Sequence, residues 1–186
     1  MSNVVHPLSA SSRPEILTHL VALSPEDRRL RFGVPVSDEA IAGYVERLDF
    51  DRDAVFGVRD DDGALVGFTH VARLDSGVEL GLSVHASQRG RGLAQAMFRR
   101  AALHARNRGV GELFMHCLSE NAAMMHIARK AGMRILIDGS DRDASLSLPP
   151  ATPQSVGEEF YEGQLALLDW TLRAAVARAR SAVVLD

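Results

Sequence analysis

Apolar positions along the chain follow two periods, and the switches between them mark out the elements. Over residues 14–23 and 37–48 they recur every three or four residues, the spacing that gathers side chains on one face of a helix. Ala40 and Ile41 meet Tyr44, Val45 and Leu48 in this way, with Ser37 at the N-cap and Asp38 and Glu39 in the first turn. Residues 54–58, 64–72 and 78–85 are short β-rich runs. Asp60-Asp61-Asp62-Gly63 and Asp75-Ser76-Gly77 separate them, sequences of the kind that close hairpins. They predict an antiparallel meander of three strands.

A long helix follows over residues 90–108, entered through glycines and closed by Gly109. Residues 112–118 predict a strand, 121–131 a helix stopped by Gly132, and 133–137 with 144–148 a final hairpin. Pro149-Pro150-Ala151-Thr152-Pro153 then breaks the pattern. Beyond it, residues 156–184 read as helix, with Phe160, Leu167, Leu168, Leu172, Ala175 and Val176 in an apolar stripe. This order is α+β, a mixed and mostly antiparallel sheet with one central βαβ crossover, flanked by helices and extended by a C-terminal helix. Residues 1–148 are expected to form one domain. Residues 149–186 form a proline-rich linker and a helix packed on that domain or on a partner subunit.

Composition narrows the class. The 186 residues are 46% hydrophobic and 24% charged, the profile of a globular chain and not a disordered one. Twenty-one Lys and Arg against 24 Asp and Glu leave a net charge of −3, which argues against a dedicated nucleic-acid or membrane-surface binder. No apolar run approaches the roughly 20 residues that span a bilayer, and the first ten residues lack the basic-then-apolar order of a signal peptide. Cys117 is the single cysteine, so neither an intrachain disulfide nor a cysteine metal cluster can form. The histidines lack metal-ligand spacing, and no metal is expected. A cytoplasmic protein is expected. Inside this acidic chain, Arg89, Arg91, Arg99, Arg100, Arg106 and Arg108 fall in a stretch from Ala86 to Gly111 that has no acid. A solvated helix face usually mixes both signs, so the run suggests an anionic ligand.

The chemistry concentrates where the third meander strand runs into the long helix, from Glu79 to Ala94. Gly90 and Gly92 allow a close approach to backbone, and the amides of a helix start attract anions. Arg89 and Arg91 add positive charge, so the turn is a pyrophosphate cradle. It is not a P-loop, which needs a lysine, nor the dinucleotide fingerprint, since Gly90-Arg91-Gly92-Leu93-Ala94-Gln95 ends in glutamine.

Arg89-Gly90-Arg91-Gly92-Leu93-Ala94 instead resembles the acyl-CoA signature of the GNAT superfamily of N-acetyltransferases, Arg/Gln-x-x-Gly-x-Gly/Ala. The resemblance extends to the apolar pair Leu82 and Val84 ahead of the turn and to the helix Asn121-x-x-Met124 that leads to Ala128-Arg129-Lys130-x-Gly132. Together with Leu23-Ser24-Pro25-Glu26-Asp27-Arg28-Arg29-Leu30-Arg31-Phe32 as an opening helix, these motifs are similar to the GNAT domain of bacterial protein-lysine acetyltransferases. The likeness covers about residues 20–148. It implies a GNAT fold whose fourth and fifth strands splay, and acetyl-CoA or CoA as cofactor. Pantetheine would lie along Leu82 and Val84, pyrophosphate on the amides from Arg89 to Ala94, and Asn121 at the cofactor or the reacting end. The acceptor would be an amine, either a protein lysine or N-terminus or a small molecule, with no nucleic acid and no membrane involved.

Neutralising a lysine-type amine at pH 7 costs about 4.6 kcal/mol, and a general base, often acting through water, provides a route for that proton. Glu79 is the candidate base, against the alternative of a carboxylate paired with a nearby arginine. The tyrosine that protonates the departing thiolate in many relatives aligns with Ala128 here. Ser119 is a candidate for orienting water or the thiol, against an ordinary helix-cap role. Cys117 reads as a core thiol. Trp170 and Phe160 are expected to anchor the last helix to the domain or to a second copy, or else to roof the acceptor pocket. The alternative to an enzyme is a non-catalytic acyl-CoA sensor.

Overall fold

The structure is a computed structural model that describes residues 3–138 and 141–183, except for the side chains of residues 137–142 and 177–183. A sheet of seven strands runs in the order β1-β2-β3-β4-β5-β7-β6. The strands are β1 (His6–Pro7), β2 (Ala54–Arg59), β3 (Leu65–Leu74), β4 (Gly77–Val84), β5 (Glu112–Leu118), β6 (Arg134–Asp138) and β7 (Asp141–Ser147). All neighbours are antiparallel except β4 and β5. This is the α+β mixed sheet that the sequence predicts. The meander is β2-β3-β4, in unbroken register from Gly67↔Val84 to Leu74↔Gly77.

Among the described residues six α-helices accompany it: α1 (Arg13–Val21), α2 (Pro25–Phe32), α3 (Asp38–Glu46), α4 (Leu93–Asn107), α5 (Ala122–Lys130) and α6 (Pro153–Val183). Local chemistry sets several boundaries. Ser37 Oγ accepts from the Ala40 amide at 3.3 Å and Ser24 Oγ from Asp27 at 3.1 Å, the N-cap bond. Asn121 Oδ1 does the same for Met124 at 3.1 Å.

Strand alternation divides the core. Val55, Leu65 and Phe68 face Ile16, Leu20, Ile41 and Val45 of α1 and α3. Phe56, Val58, Val66 and Val71 face Met97, Phe98 and Ala101 of α4, in a cluster that continues to Met125 and Ala128 of α5. Cys117 is buried there, the core thiol expected.

Three features depart from the sequence pattern. Strand β1 is only two residues long, too short to show a period. Helix α2 buries none of its residues fully, so it carries no apolar stripe and only the family resemblance anticipates it. In the last hairpin the second strand, β7, enters beside β5 and leaves β6 at the edge. Val184, the last residue of the expected final helix, lies outside the described residues.

Candidate functional site

β4 and β5 pair only at Val78↔Leu113 and Glu79↔Phe114. Beyond Glu79 the two parallel strands separate, and the β5-facing edge of β4 has no strand partner among the described residues. A cleft of about 660 Å³ opens at this point. Leu30 to Val34 from the end of α2 form one wall, Glu79 to Leu82 and His116 to Leu118 the floor, and Met124 and Asp143 the far side. A smaller cavity of about 130 Å³ adjoins it, lined by Leu82, Ser83, Val84, Arg89, Ala94 and Asn121 among others. Leu82, Val84, Arg89, Ala94 and Asn121, five of the sequence-predicted binding residues, therefore share one wall-to-wall space.

The turn from β4 into α4 is shaped for an anion. Gly90 and Gly92 both take positive φ, 76° and 77°, a region that side chains with a Cβ rarely enter. Gly92 is the N-cap of α4 and offers no side chain, and the first turn holds no acid. The leading amides of a fifteen-residue helix are thus left to an outside acceptor. Arg89 bends back to Asp27 of α2 at 2.6 Å and to the Val84 carbonyl at 3.3 Å, while Arg91 is exposed.

The rest of the arginine run has a different role from the one its charge suggests. Arg100 and Arg108 bind Glu159 of α6 at 3.1 and 3.2 Å, and Arg106 binds the Pro150 carbonyl at 3.0 Å. These three dock the C-terminal segment, Arg100 and Arg108 on a carboxylate of α6 and Arg106 on a neutral carbonyl, and neither they nor Arg99 line the cleft. Only the arginines in the turn remain near the cleft. In a single sequence Glu159 stands too far away for this pairing to be read.

Glu79 is the last β4 residue still paired with β5, at the mouth of the splay. Among the described residues its carboxylate makes no hydrogen bond or ion pair, and it lines the cleft together with Arg31. Around it stands a chain of groups that the sequence reading missed. Arg31 Nη2 donates to Tyr44 Oη at 3.1 Å, Tyr44 Oη meets His70 Nδ1 at 2.9 Å, and His70 Nε2 meets Asp53 Oδ2 at 2.8 Å. Burial holds the His70 pKa below its ordinary value despite the opposing pull of Asp53, and burial raises that of Tyr44 despite Arg31. A neutral His70 with its proton on Nε2 fits all three bonds: Tyr44 donates to Nδ1 and accepts from Arg31. The Arg31 guanidinium occupies the space where a Cβ on Gly81 would stand, 2.3 Å away. Its Nε is buried without a partner. The one available signal was that His70 and Gly81 are cross-strand partners in a meander already predicted.

Deeper along the same face, His19 Nδ1 donates to the Leu65 carbonyl at 3.1 Å and Nε2 accepts from Ser83 Oγ at 2.8 Å. Burial, with His85 stacked 4.3 Å away, pushes the His19 pKa down to about 3. His19 is a neutral structural histidine.

Other sequence-predicted residues separate. Asn121 is buried, with Oδ1 spent on the cap and Nδ2 3.4 Å from the Leu30 carbonyl. Ser119 is exposed in the turn before α5 and does not line the cleft, and Asn121 takes the cap that Ser119 was expected to fill. Ala128 is fully buried. Phe160 and Trp170 are 68% and 55% exposed. Neither lines the cleft; Trp170 borders a cavity between α6 and Glu15, Arg59 and Asp61 of its own domain, and Phe160 faces outward. Among the described residues no three or more His, Cys, Asp or Glu side chains gather to hold a metal, and no helix is long and apolar enough to cross a membrane.

A splayed parallel pair within an antiparallel sheet, followed by a glycine turn onto an uncapped helix, defines a class. A family model described as acetyltransferase (GNAT) domain matches residues 4–134. The chain belongs to that family and is an acetyltransferase. Solved structures similar in fold include the GNAT domain of PAT from S. lividans, at 20% identity and TM-score 0.68 over 77% of this chain and 89% of that one. Spermidine N-acetyltransferase from Vibrio cholerae in complex with CoA and spermine is similar at 15% identity and TM-score 0.61, over 77% and 94%. Ribosomal-protein-alanine N-acetyltransferase from Brucella melitensis is similar at 17% and 0.59, over 77% and 99%. No curated protein matches the sequence.

Proposed function

We propose that the protein transfers acetyl from acetyl-CoA to an amine by direct attack, with Glu79 as general base. The observation that carries this reading is a carboxylate lining the cleft at the residue where β4 and β5 part, without a partner among the described residues. Acetyl-CoA suits the cleft: the uncapped amides of α4 and the glycine turn from Arg89 to Ala94 would take its pyrophosphate, and the free edge of β4 around Leu82 and Val84 would take its pantetheine. It supplies the activated acetyl group as a thioester. The remaining tasks fall to the chain. Glu79, directly or through a water, accepts the proton the amine must lose, giving a route to a deprotonation that costs about 4.6 kcal/mol at pH 7 for a lysine-type amine. As the new amide C–N bond forms, the thioester C–S bond would break and CoA would leave as the thiolate. Arg31, held from behind by Tyr44, fixes the cleft wall opposite. The amine itself is a protein lysine, an N-terminus or a small molecule.

A non-catalytic acyl-CoA sensor is the second reading, favoured by Ala128 standing where many relatives carry a tyrosine. Titration calorimetry and an amine screen separate the two. Wild type should bind acetyl-CoA in the micromolar range. Glu79→Gln should keep that affinity while lowering kcat at pH 7 by about 100-fold or more, the scale of a lost general base. Undiminished turnover in Glu79→Gln would remove Glu79 from the mechanism. Binding without turnover on any amine would favour the sensor, and no binding by folded protein would end both readings.

A further inference from the structure

Helix α6 is amphipathic in the reverse sense. Ser155, Glu159, Glu162, Ala166, Asp169 and Arg173 recur at helical spacing and face the domain. Ser155 Oγ donates to Asn107 Oδ1 at 2.6 Å. Glu159 takes Arg100, His104 and Arg108 on one oxygen and Asn107, at 2.8 Å, on the other. Asp169 holds His6 at 3.0 Å and Arg173 at 2.6 Å. Of this seam only Ala166 is apolar. The oil lies mainly outside: nine of the twelve exposed large hydrophobic residues among the described residues are on α6. Leu165 borders a cavity with Val4 and Val5, and Trp170, Leu172 and Val176 border one with Glu15 and Arg59, which leaves Val156, Phe160, Tyr161, Leu167 and Leu168 facing away from the domain.

We infer that this outward face of α6 is the interface at which two copies of the chain pair about a twofold axis, an inference that stands apart from the acetyl-transfer reading. Three observations choose a second copy as the occupant. These five outward side chains offer on the order of 600 Å², the top of the range for the largest apolar patch of an ordinary monomer and the greater part of the roughly 800 Å² per partner of a stable interface. The face is self-complementary: between residues 156 and 176 every charged side chain except Glu158 lies on the domain side, so a twofold copy sets no like charges against one another. The pattern is also that of helix against helix. Phe160 and Leu167, and Tyr161 and Leu168, are seven residues apart, and the line between these rows holds Gly157, Gln164 and Thr171 at the same interval. The Thr171 hydroxyl already donates to the Leu168 carbonyl at 2.8 Å, so burying it orphans nothing.

A membrane surface fits less well. The polar seam carries Glu159, Glu162 and Asp169 against the single Arg173, whereas interfacial helices present lysine and arginine to anionic lipid. The seam is moreover consumed by the domain. The cleft between β4 and β5 lies elsewhere, lined by α2, β4, β5, α5 and β7 and by no residue of α6. Pairing through α6 therefore leaves it open.

Sedimentation velocity on the full chain tests the pairing. Wild type at tens of micromolar should run as a dimer, twice the 20.2 kDa of one chain. Leu167→Glu/Leu168→Glu should run as a monomer with an unchanged far-ultraviolet spectrum, and Leu74→Glu, which alters an exposed apolar residue outside α6, should stay dimeric. If the charged variant fails to fold, Leu167→Ala/Leu168→Ala should still raise the dimer dissociation constant at least tenfold. A monomeric wild type overturns the proposal. So does a dimer whose dissociation constant neither pair of substitutions alters, or a wild-type monomer that cosediments with vesicles of phosphatidylcholine and phosphatidylglycerol.

Discussion

The hydroxyl of Tyr44 receives a hydrogen bond from Arg31 and gives one to His70, whose other nitrogen is held by Asp53. One phenol thereby joins α3 to β3 and fixes the guanidinium that walls the cleft. Tyr44→Phe removes both bonds and leaves Arg31 and His70 partly desolvated, which should cost about 1–3 kcal/mol, measurable as a shift in the urea unfolding midpoint. If Arg31 is held by its stacking on the Phe32 and Tyr44 rings alone, the midpoint should not move. The place of Glu79 in the cleft follows from features legible in the sequence, the family resemblance and the strand that carries it. The Arg31–Tyr44–His70–Asp53 chain was not legible. Tyr44 sits at helical spacing among Ile41, Val45 and Leu48, and its ring is indistinguishable there from a core residue.

Among the elements, β4, β5, α4 and α5 came out of the sequence nearly to the residue, because each is bounded by glycine or a cap whose backbone demands are local. Helix α6 shows the opposite case. Periodicity locates its apolar stripe without saying which neighbour meets it: Leu172 and Val176 border the domain, while Phe160, Leu167 and Leu168 face outward. The inward face is ionic, and Glu159 is its centre. Burial alone would raise the Glu159 pKa. Hydrogen bonds from His104, Asn107 and Arg100 outweigh it and hold the carboxyl well below its usual range. Glu159→Gln would leave Arg100, only 8% exposed in its side chain, with Glu162 at 3.5 Å as its remaining charge partner. Breaking a buried pair in this way should cost roughly 3 kcal/mol, read as a lower denaturation midpoint. An unchanged midpoint would show that the apolar contacts of α6 suffice to hold it.

For the molecule as a whole, the buried histidines set the response to acid. Folding depresses His19 to about 3 from 6.5, and it lowers His6 and His70 as well, burial being the chief cause each time. Below pH 6.5 the unfolded chain takes up protons that the folded one refuses, so stability is complete above that pH and falls as pH drops toward the folded values. Glu159 and Asp169, both lowered, add their loss only below about pH 4.5. Between pH 6 and 4.5 His19→Gln, whose amide can both donate to Leu65 and accept from Ser83, should remove about 1.4 kcal/mol per pH unit of the slope. Equal slopes in variant and wild type would mean that His19 is not kept neutral. The sheet carries one more consequence. With only two residue pairs joining β4 to β5, it is two smaller sheets stitched along a short seam. Whatever extended molecule fills the gap acts as a brace between the halves, stiffening the protein most when it is at work.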